Sequence, residues 1–145
     1  MATPRIKINL PEHFTFSTQL PIRITDLNYG GHVGNDSILS LLHEIRMQYL
    51  QSMGYTELQF AGVGLIMSDV SIEFKAEAFY GDIIKAEVDV TEISKVAFDI
   101  VYKLSKTQDQ QDKIIALAKT GMVCYNYKLK KVVAIPEEVK VKLQH

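Results

Sequence analysis

The chain has no tryptophan, one cysteine and four prolines in 145 residues. A lone Cys124 excludes an intramolecular disulfide framework, so the fold must rest on packing alone. No stretch approaches the roughly 18 consecutive apolar residues of a membrane-spanning helix. Neither sign of charge dominates: Lys+Arg number 16 and Asp+Glu 17, a formal net charge of -1. A dedicated nucleic-acid binder would carry a basic excess. The opening Met1-Ala2-Thr3-Pro4-Arg5-Ile6-Lys7 has no apolar leader core. The expectation is a cytoplasmic protein with neither nucleic acid nor membrane as partner. His13, His32, His43 and His145 are too scattered for a ligand set, so no metal is expected. A P-loop, a dinucleotide fingerprint and a Gly-x-Ser-x-Gly elbow are all missing, and no cofactor is expected.

What is present suits one globular domain over residues 1–145, with 47% hydrophobic and 23% charged residues. Ile38, Leu41, Leu42, Ile45, Tyr49 and Met53 recur at helical spacing, with Leu39 and Leu50 widening the apolar side. This predicts a mostly buried helix over 36–53. Asn35, Asp36 and Ser37 are its candidate caps and Gly54 its stop. Period-two alternation follows around Ile66–Lys75, Ile84–Thr91 and Phe98–Leu104, and an extended run spans Ile114–Tyr127. Tyr80-Gly81-Asp82 reads as a turn, Ser105–Lys113 as a polar loop, Gly121 as a bulge and Pro136–Leu143 as a short helix. Upstream, Thr15–Asp26 is extended with a break or edge position at Pro21. The fold class is α+β: a long antiparallel sheet, its strands joined as meanders, wrapped around one helix. Ile83, Val101, Ile115 and Leu117 would leave apolar surface on the outer sheet face, which predicts a homo-oligomer.

The segment with most chemical content is Thr25-Asp26-Leu27-Asn28-Tyr29-Gly30-Gly31-His32-Val33-Gly34-Asn35-Asp36. Three glycines within five residues permit a tight path and close approach of a ligand. The segment ends at a helix N-terminus, where free N–H groups and the macrodipole favour negative charge. A capped glycine-rich turn and an oxyanion site are both compatible with that spacing.

These residues resemble the signature of hotdog-fold thioesterases of the 4-hydroxybenzoyl-CoA thioesterase type, roughly Arg-x-x-Asp-x-Asp-x-x-Gly-His-Val-Asn-Asn. A helix bearing Glu-x-Ala-Arg follows in that family, and here it reads His43-Glu44-Ile45-Arg46. Tyr80-Gly81-Asp82 and Ala134-Ile135-Pro136 match the family's later turn and exit. The resemblance runs from about Leu20 to Lys142. It implies a hotdog homodimer or homotetramer with sites at subunit interfaces. It also implies hydrolysis of an acyl thioester carried by CoA or a carrier protein.

One position departs from the pattern. The family's second carboxylate, its nucleophile or base, aligns with Asn28. An amide is no base at physiological pH, yet it can orient water or hydrogen-bond a thioester. The expected catalytic set is Asn28, with Asp26 or Glu44 as base and the Asn35 N–H as oxyanion donor. Tyr29, Gly31, His32, Val33 and Gly34 would line the substrate. Histidine as a residue type titrates in the physiological range, which also admits His32 as a base. Asp69 and the Lys128–Lys131 turn read as solvated, and Cys124 as an inert buried thiol. The alternative function is a hotdog module that binds acyl-CoA without cleaving it.

Overall fold

A computed structural model of the chain describes residues 5–144. The first residues of the stretch read for a leader, and His145, lie outside the described residues. Six strands form one antiparallel sheet: β1 (Phe16–Pro21), β2 (Gly64–Phe74), β3 (Ile83–Thr91), β4 (Ala97–Gln108), β5 (Gln111–Asn126) and β6 (Lys131–Val132). The strand order is β1-β3-β4-β5-β2, with β6 paired to the end of β5. Only β3, β4 and β5 form a meander. β2 crosses to the far side and pairs with β5, which corrects the expectation of four successive meander strands. Two helices complete the fold, α1 (Asn35–Ser52) and α2 (Glu137–Leu143).

α1 is the long helix that the apolar spacing predicts. Its inner side buries Ile38, Leu41, Leu42, Ile45, Tyr49 and Leu50 against the sheet, while Leu39 points outward. Leu42, Ile45 and Leu50 are wholly buried, and each contributes about 1.5–3 kcal/mol of hydrophobic stabilisation. The inner sheet face carries Ala86, Ala116 and Ala118, whose small side chains leave room for the helix to lie close. Gly54, with φ at +87°, ends the helix as its N–H donates to Gln51 O.

The polar run 105–113 is not a loop. Lys106, Thr107 and Gln108 pair with Lys113, Asp112 and Gln111, and Asp109 and Gln110 turn the chain with φ of 53° and 63°. Ladder hydrogen bonds need no apolar side chain, so the polarity pattern misleads there. The bulge lies opposite Gly121 rather than on it. The β2 register slips between Met67 and Asp69, and the Asp69 carboxylate fills the space a Gly121 side chain would need. A second register shift, across from Leu104 and Ser105, leaves Ile115 as the extra residue of β5 and lets it join the core.

The outer sheet face is covered by the chain itself. Val101 is 2% and Leu117 8% exposed, while Ile83 remains 50% exposed. The segment 6–11 forms a groove on this face with Ser71, Asp99, Val101 and Lys119. The Ile8 N–H donates to Glu73 Oε2 at 2.8 Å. This bond is the main reason the buried Glu73 carboxyl is held below its ordinary value of 4.5. Burial opposes the shift, and Lys75 at 3.3 Å adds to it.

The native state therefore binds that proton more weakly than the unfolded chain. The contribution to stability is complete above pH 4.5 and is lost as pH falls through the lower native value. Chemical denaturation of Glu73→Gln should show lower stability at pH 7 and a flatter acid limb than the parent. An unchanged acid limb would mean that Glu73 does not anchor the segment.

Candidate active site

After β1 the chain makes a 3-10 turn at Ile24–Asp26 and then a small hairpin closed by the Leu27–Val33 bridge. Three backbone bonds fix that hairpin. Asn28 N–H donates to His32 O at 2.9 Å, Val33 N–H to Ala78 O at 2.9 Å, and Gly34 N–H to Asp26 O at 3.3 Å. Gly31, with φ at +85°, makes the reversal, and Tyr29 stands fully exposed at the tip. The hairpin delivers Gly34 as the N-cap of α1, with no side-chain cap. None of the expected caps Asn35, Asp36 and Ser37 holds that position, because the helix starts one residue earlier than the spacing suggests. Ile38 N–H makes the first intrahelical bond, to Gly34 O. The N–H groups of Asn35, Asp36 and Ser37 have no intrahelical acceptor. They form the positive end of an 18-residue helix.

The side chains of Asn28 and His32 both come close to Gly30. A Cβ on Gly30 would meet Asn28 Oδ1 at 3.2 Å and His32 Nε2 at 3.5 Å. Asn28 Oδ1 accepts the Gly30 N–H at 2.9 Å, which turns the amide nitrogen outward as a donor. His32 Nδ1–H donates to Val33 O at 3.3 Å, which leaves Nε2 as an acceptor. Gly34 touches the same group: a Cβ there would meet Asn28 Cβ at 3.7 Å and Asp36 Oδ1 at 2.7 Å. Asn28, His32, Gly34 and the helix N-terminus thus occupy one place. Val33 is buried in its wall.

The two carboxylates expected from the sequence lie differently. Asp26 is 4% exposed, and its oxygens accept the Arg23 backbone N–H at 2.8 Å, the Nε at 3.4 Å and the Nη2 at 3.3 Å. It braces the 3-10 turn. Glu44 lies nine residues after Asn35 on α1, roughly 13–14 Å along the axis. It is exposed there and accepts a bond from Gln48 Nε2. Within one chain it does not meet Asn28. Cys124 is buried, and burial pushes its thiol up to about 11, which suits an inert side chain. Asp69 is exposed and pairs loosely with Lys119 at 3.9 Å.

Beside the helix N-terminus opens a small pocket of about 110 Å³ with both apolar and polar walls. His32, Val33, Asn35, Ile38, Phe74, Ala76, Glu77, Ala78 and Ile115 line it. Nothing in the sequence pattern marks Phe74, Ala76, Ala78 or Ile115, because a strand crossover and a bulge bring them there. Asp36 is a further site member that the sequence pattern does not single out. Its carboxylate shares the space beside Gly34 with the Asn28 side chain. Among the described residues no group of three or more His, Cys, Asp or Glu could hold a metal ion. No helix among them is long and apolar enough to cross a membrane.

Comparison with known proteins agrees with this fold. Residues 22–143 match the model of a family described as the thioesterase-like superfamily. The 1,4-dihydroxy-2-naphthoyl-CoA hydrolase of Synechocystis sp. is 27% identical over 132 residues, 89% of this chain and 88% of that protein. An acyl-CoA thioesterase of Haemophilus influenzae is 22% identical over 133 residues, covering 90% of this chain and 95% of that protein. Among solved structures, a thioesterase-superfamily protein from Jannaschia sp. CCS1 superposes with a TM-score of 0.81 at 19% identity. It covers 92% of this chain and 83% of its own, and it shares the sheet around a central helix.

The bracing role of Asp26 has a measurable consequence. Asp26→Ala removes the acceptor of the Arg23 N–H and should destabilise the fold by about 1–3 kcal/mol in urea titrations. A variant that keeps its stability but loses activity would place Asp26 in the chemistry instead.

Proposed function

The chain belongs to the thioesterase-like superfamily, and from that premise we propose that it hydrolyses acyl thioesters carried by CoA. The observation that carries the reading is the uncapped N-terminus of α1 beside Asn28 and His32, with a small pocket next to it. The thioester carbonyl would accept the Asn35 N–H, and the helix dipole would stabilise the oxyanion as it forms. The Asn28 amide nitrogen would donate to the attacking water. His32 Nε2 would accept the proton that water loses as its oxygen bonds to the carbonyl carbon. The tetrahedral intermediate then collapses with loss of the thiolate, which takes up a proton. Asp26 acts through the loop it braces, and Glu44 stays outside this scheme within one chain. Gly31 shapes the hairpin, Val33 walls the pocket and Tyr29 overhangs the entrance. No metal or cofactor takes part in this scheme, and a location in the cytoplasm belongs to the same reading.

A second copy of the chain is part of the proposal. Among the described residues no strand lies beside the outer edge of β2, and Met67, Ser68, Asp69 and Val70 are exposed in succession along it. An uncovered edge of this length is a ready template for strand pairing. Pairing around a two-fold axis would give a homodimer, and two such dimers a homotetramer. Light scattering should show an even-numbered oligomer, and Val70→Pro, which obstructs pairing along that edge, should shift it toward monomer. A monomeric parent would contradict this.

A binding module without turnover is the second reading. It is favoured by one observation, that position 28 offers an amide and no carboxylate. The kinetics of variants separate the two. Asn28→Ala should lower kcat by about 10²–10³ without loss of thermal stability. His32→Ala should lower it by about 10²–10⁴, with partial rescue by added imidazole. Asp36→Asn should change kcat by less than about tenfold. A loss in Asp36→Asn equal to that in His32→Ala, with no imidazole rescue, would move the base to Asp36.

A further inference from the structure

Within one chain the turn between β5 and β6 stands far from the candidate site. Tyr125 pairs with Gly64, the first residue of β2, while Phe74 at the other end of β2 borders the pocket, about 30 Å away along the strand. Six successive residues of the turn, 127–132, are exposed. Lys128, Lys130 and Lys131 stand among them, and none of the three forms an ion pair among the described residues. The chain has a net charge of -1, yet residues 113–136 contain no aspartate or glutamate. Positive charge is therefore concentrated at this turn and left uncompensated along the chain.

The turn is held in one shape. Asn126 Oδ1 accepts the N–H groups of Lys128 and Leu129, each at 2.9 Å, and Asn126 pairs with Lys131 across the turn. Lys130 has φ at 53°, a left-handed conformation that lysine seldom adopts. Between the lysines Leu129 is 61% exposed, and Tyr127 is 53% exposed. An exposed apolar group rimmed by polar residues marks a surface that meets another surface. We infer that this turn attaches the protein to anionic lipid surfaces. The lysines meet the headgroup charges, and Leu129 enters the boundary between headgroups and acyl chains.

Two observations favour lipid over an acidic protein. The cations are all lysine, which protein–protein interfaces disfavour while they enrich arginine. The patch is also a single turn, whereas a stable protein interface covers about 800 Å² on each side. A lipid surface accepts one projecting turn. The turn stays open in the proposed dimer as well. Tyr125 pairs with β2 on one side and with Val132 of β6 on the other, so β5 separates β6 from the edge that pairs. The absence of an apolar span led to the expectation of no membrane partner, but attachment at the surface needs no span.

The test is sedimentation of the full chain with vesicles of phosphatidylcholine, or of phosphatidylcholine and phosphatidylserine in equal parts. Each lysine near an anionic leaflet strengthens attachment about fivefold, and three about a hundredfold. At low salt the parent should bind the mixed vesicles tighter than the neutral ones by that factor. It should lose most of the difference at about 1 M salt, where screening is nearly complete. Lys128→Gln, Lys130→Asn and Lys131→Gln together should abolish the preference at unchanged Tm, since asparagine tolerates the backbone of position 130. Leu129→Asn should weaken binding to the mixed vesicles about tenfold and keep its salt dependence. The salt series on the parent needs no variant, so a variant that fails to fold leaves the test intact. Equal binding to both vesicle types, binding to neither, or a preference that survives the triple change would overturn the inference. Binding of the parent to polyglutamate with none to vesicles would assign the turn to an acidic protein instead.

Discussion

Everything at the site depends on how one small hairpin is pinned to the start of α1. The Val33 N–H to Ala78 O and Gly34 N–H to Asp26 O bonds hold it from two sides. The first ties it to the segment that crosses from β2 to β3. The second ties it to the 3-10 turn that Asp26 and Arg23 stabilise. Without both, Gly34 would not cap the helix, and the free N–H groups would not face Asn28 and His32. The cost of leaving those donors uncapped is tolerable where the residue is exposed, as Asn35 and Asp36 are. The same openness makes them available to a substrate carbonyl.

Position 28 shows how a change of one atom type redistributes roles within a fixed frame. The side chain there is held by the Gly30 N–H through an oxygen, and an aspartate would make the same bond. What differs is the second arm, a donor in asparagine and an acceptor in aspartate. A donor cannot take a proton from water, but it can hold water in place. In the proposed scheme the proton goes to another acceptor, the imidazole of His32, whose Nδ1 is bonded to Val33 O. Val33, Ile38 and Ile115, all buried, supply part of the apolar wall of the pocket beside this group.

The helix and three strands were legible because burial leaves a period in sequence. Ile38, Leu41, Leu42 and Ile45 line one helical face, and Ile84, Ala86 and Val88 alternate along β3. The hairpin was legible through its glycines and through resemblance. Other features carry no periodic mark. The polar residues 106–108 and 111–113 pair through the backbone ladder, and the bulge that turns Ile115 inward is a matter of register. The segment 6–11 that lies beside Val101 is far away in sequence. The pocket wall was hidden for the same reason. Phe74, Ala76 and Ile115 meet only because β2 crosses the sheet to pair with β5. Asp26 and Glu44 could be named as acids from the sequence, but only the fold places one against Arg23 and the other far along the helix.

The mechanism stands or falls on thioester cleavage with asparagine, not aspartate, at position 28. Multiple-turnover thiol release from a panel of acyl-CoAs, short, long, branched and aromatic, by the parent chain, with Asn28→Asp assayed beside it, decides the matter. The parent should complete many turnovers per site. A parent that binds the ester without releasing thiol, beside an active Asn28→Asp, would contradict the mechanism and leave a binding scaffold that lacks its base.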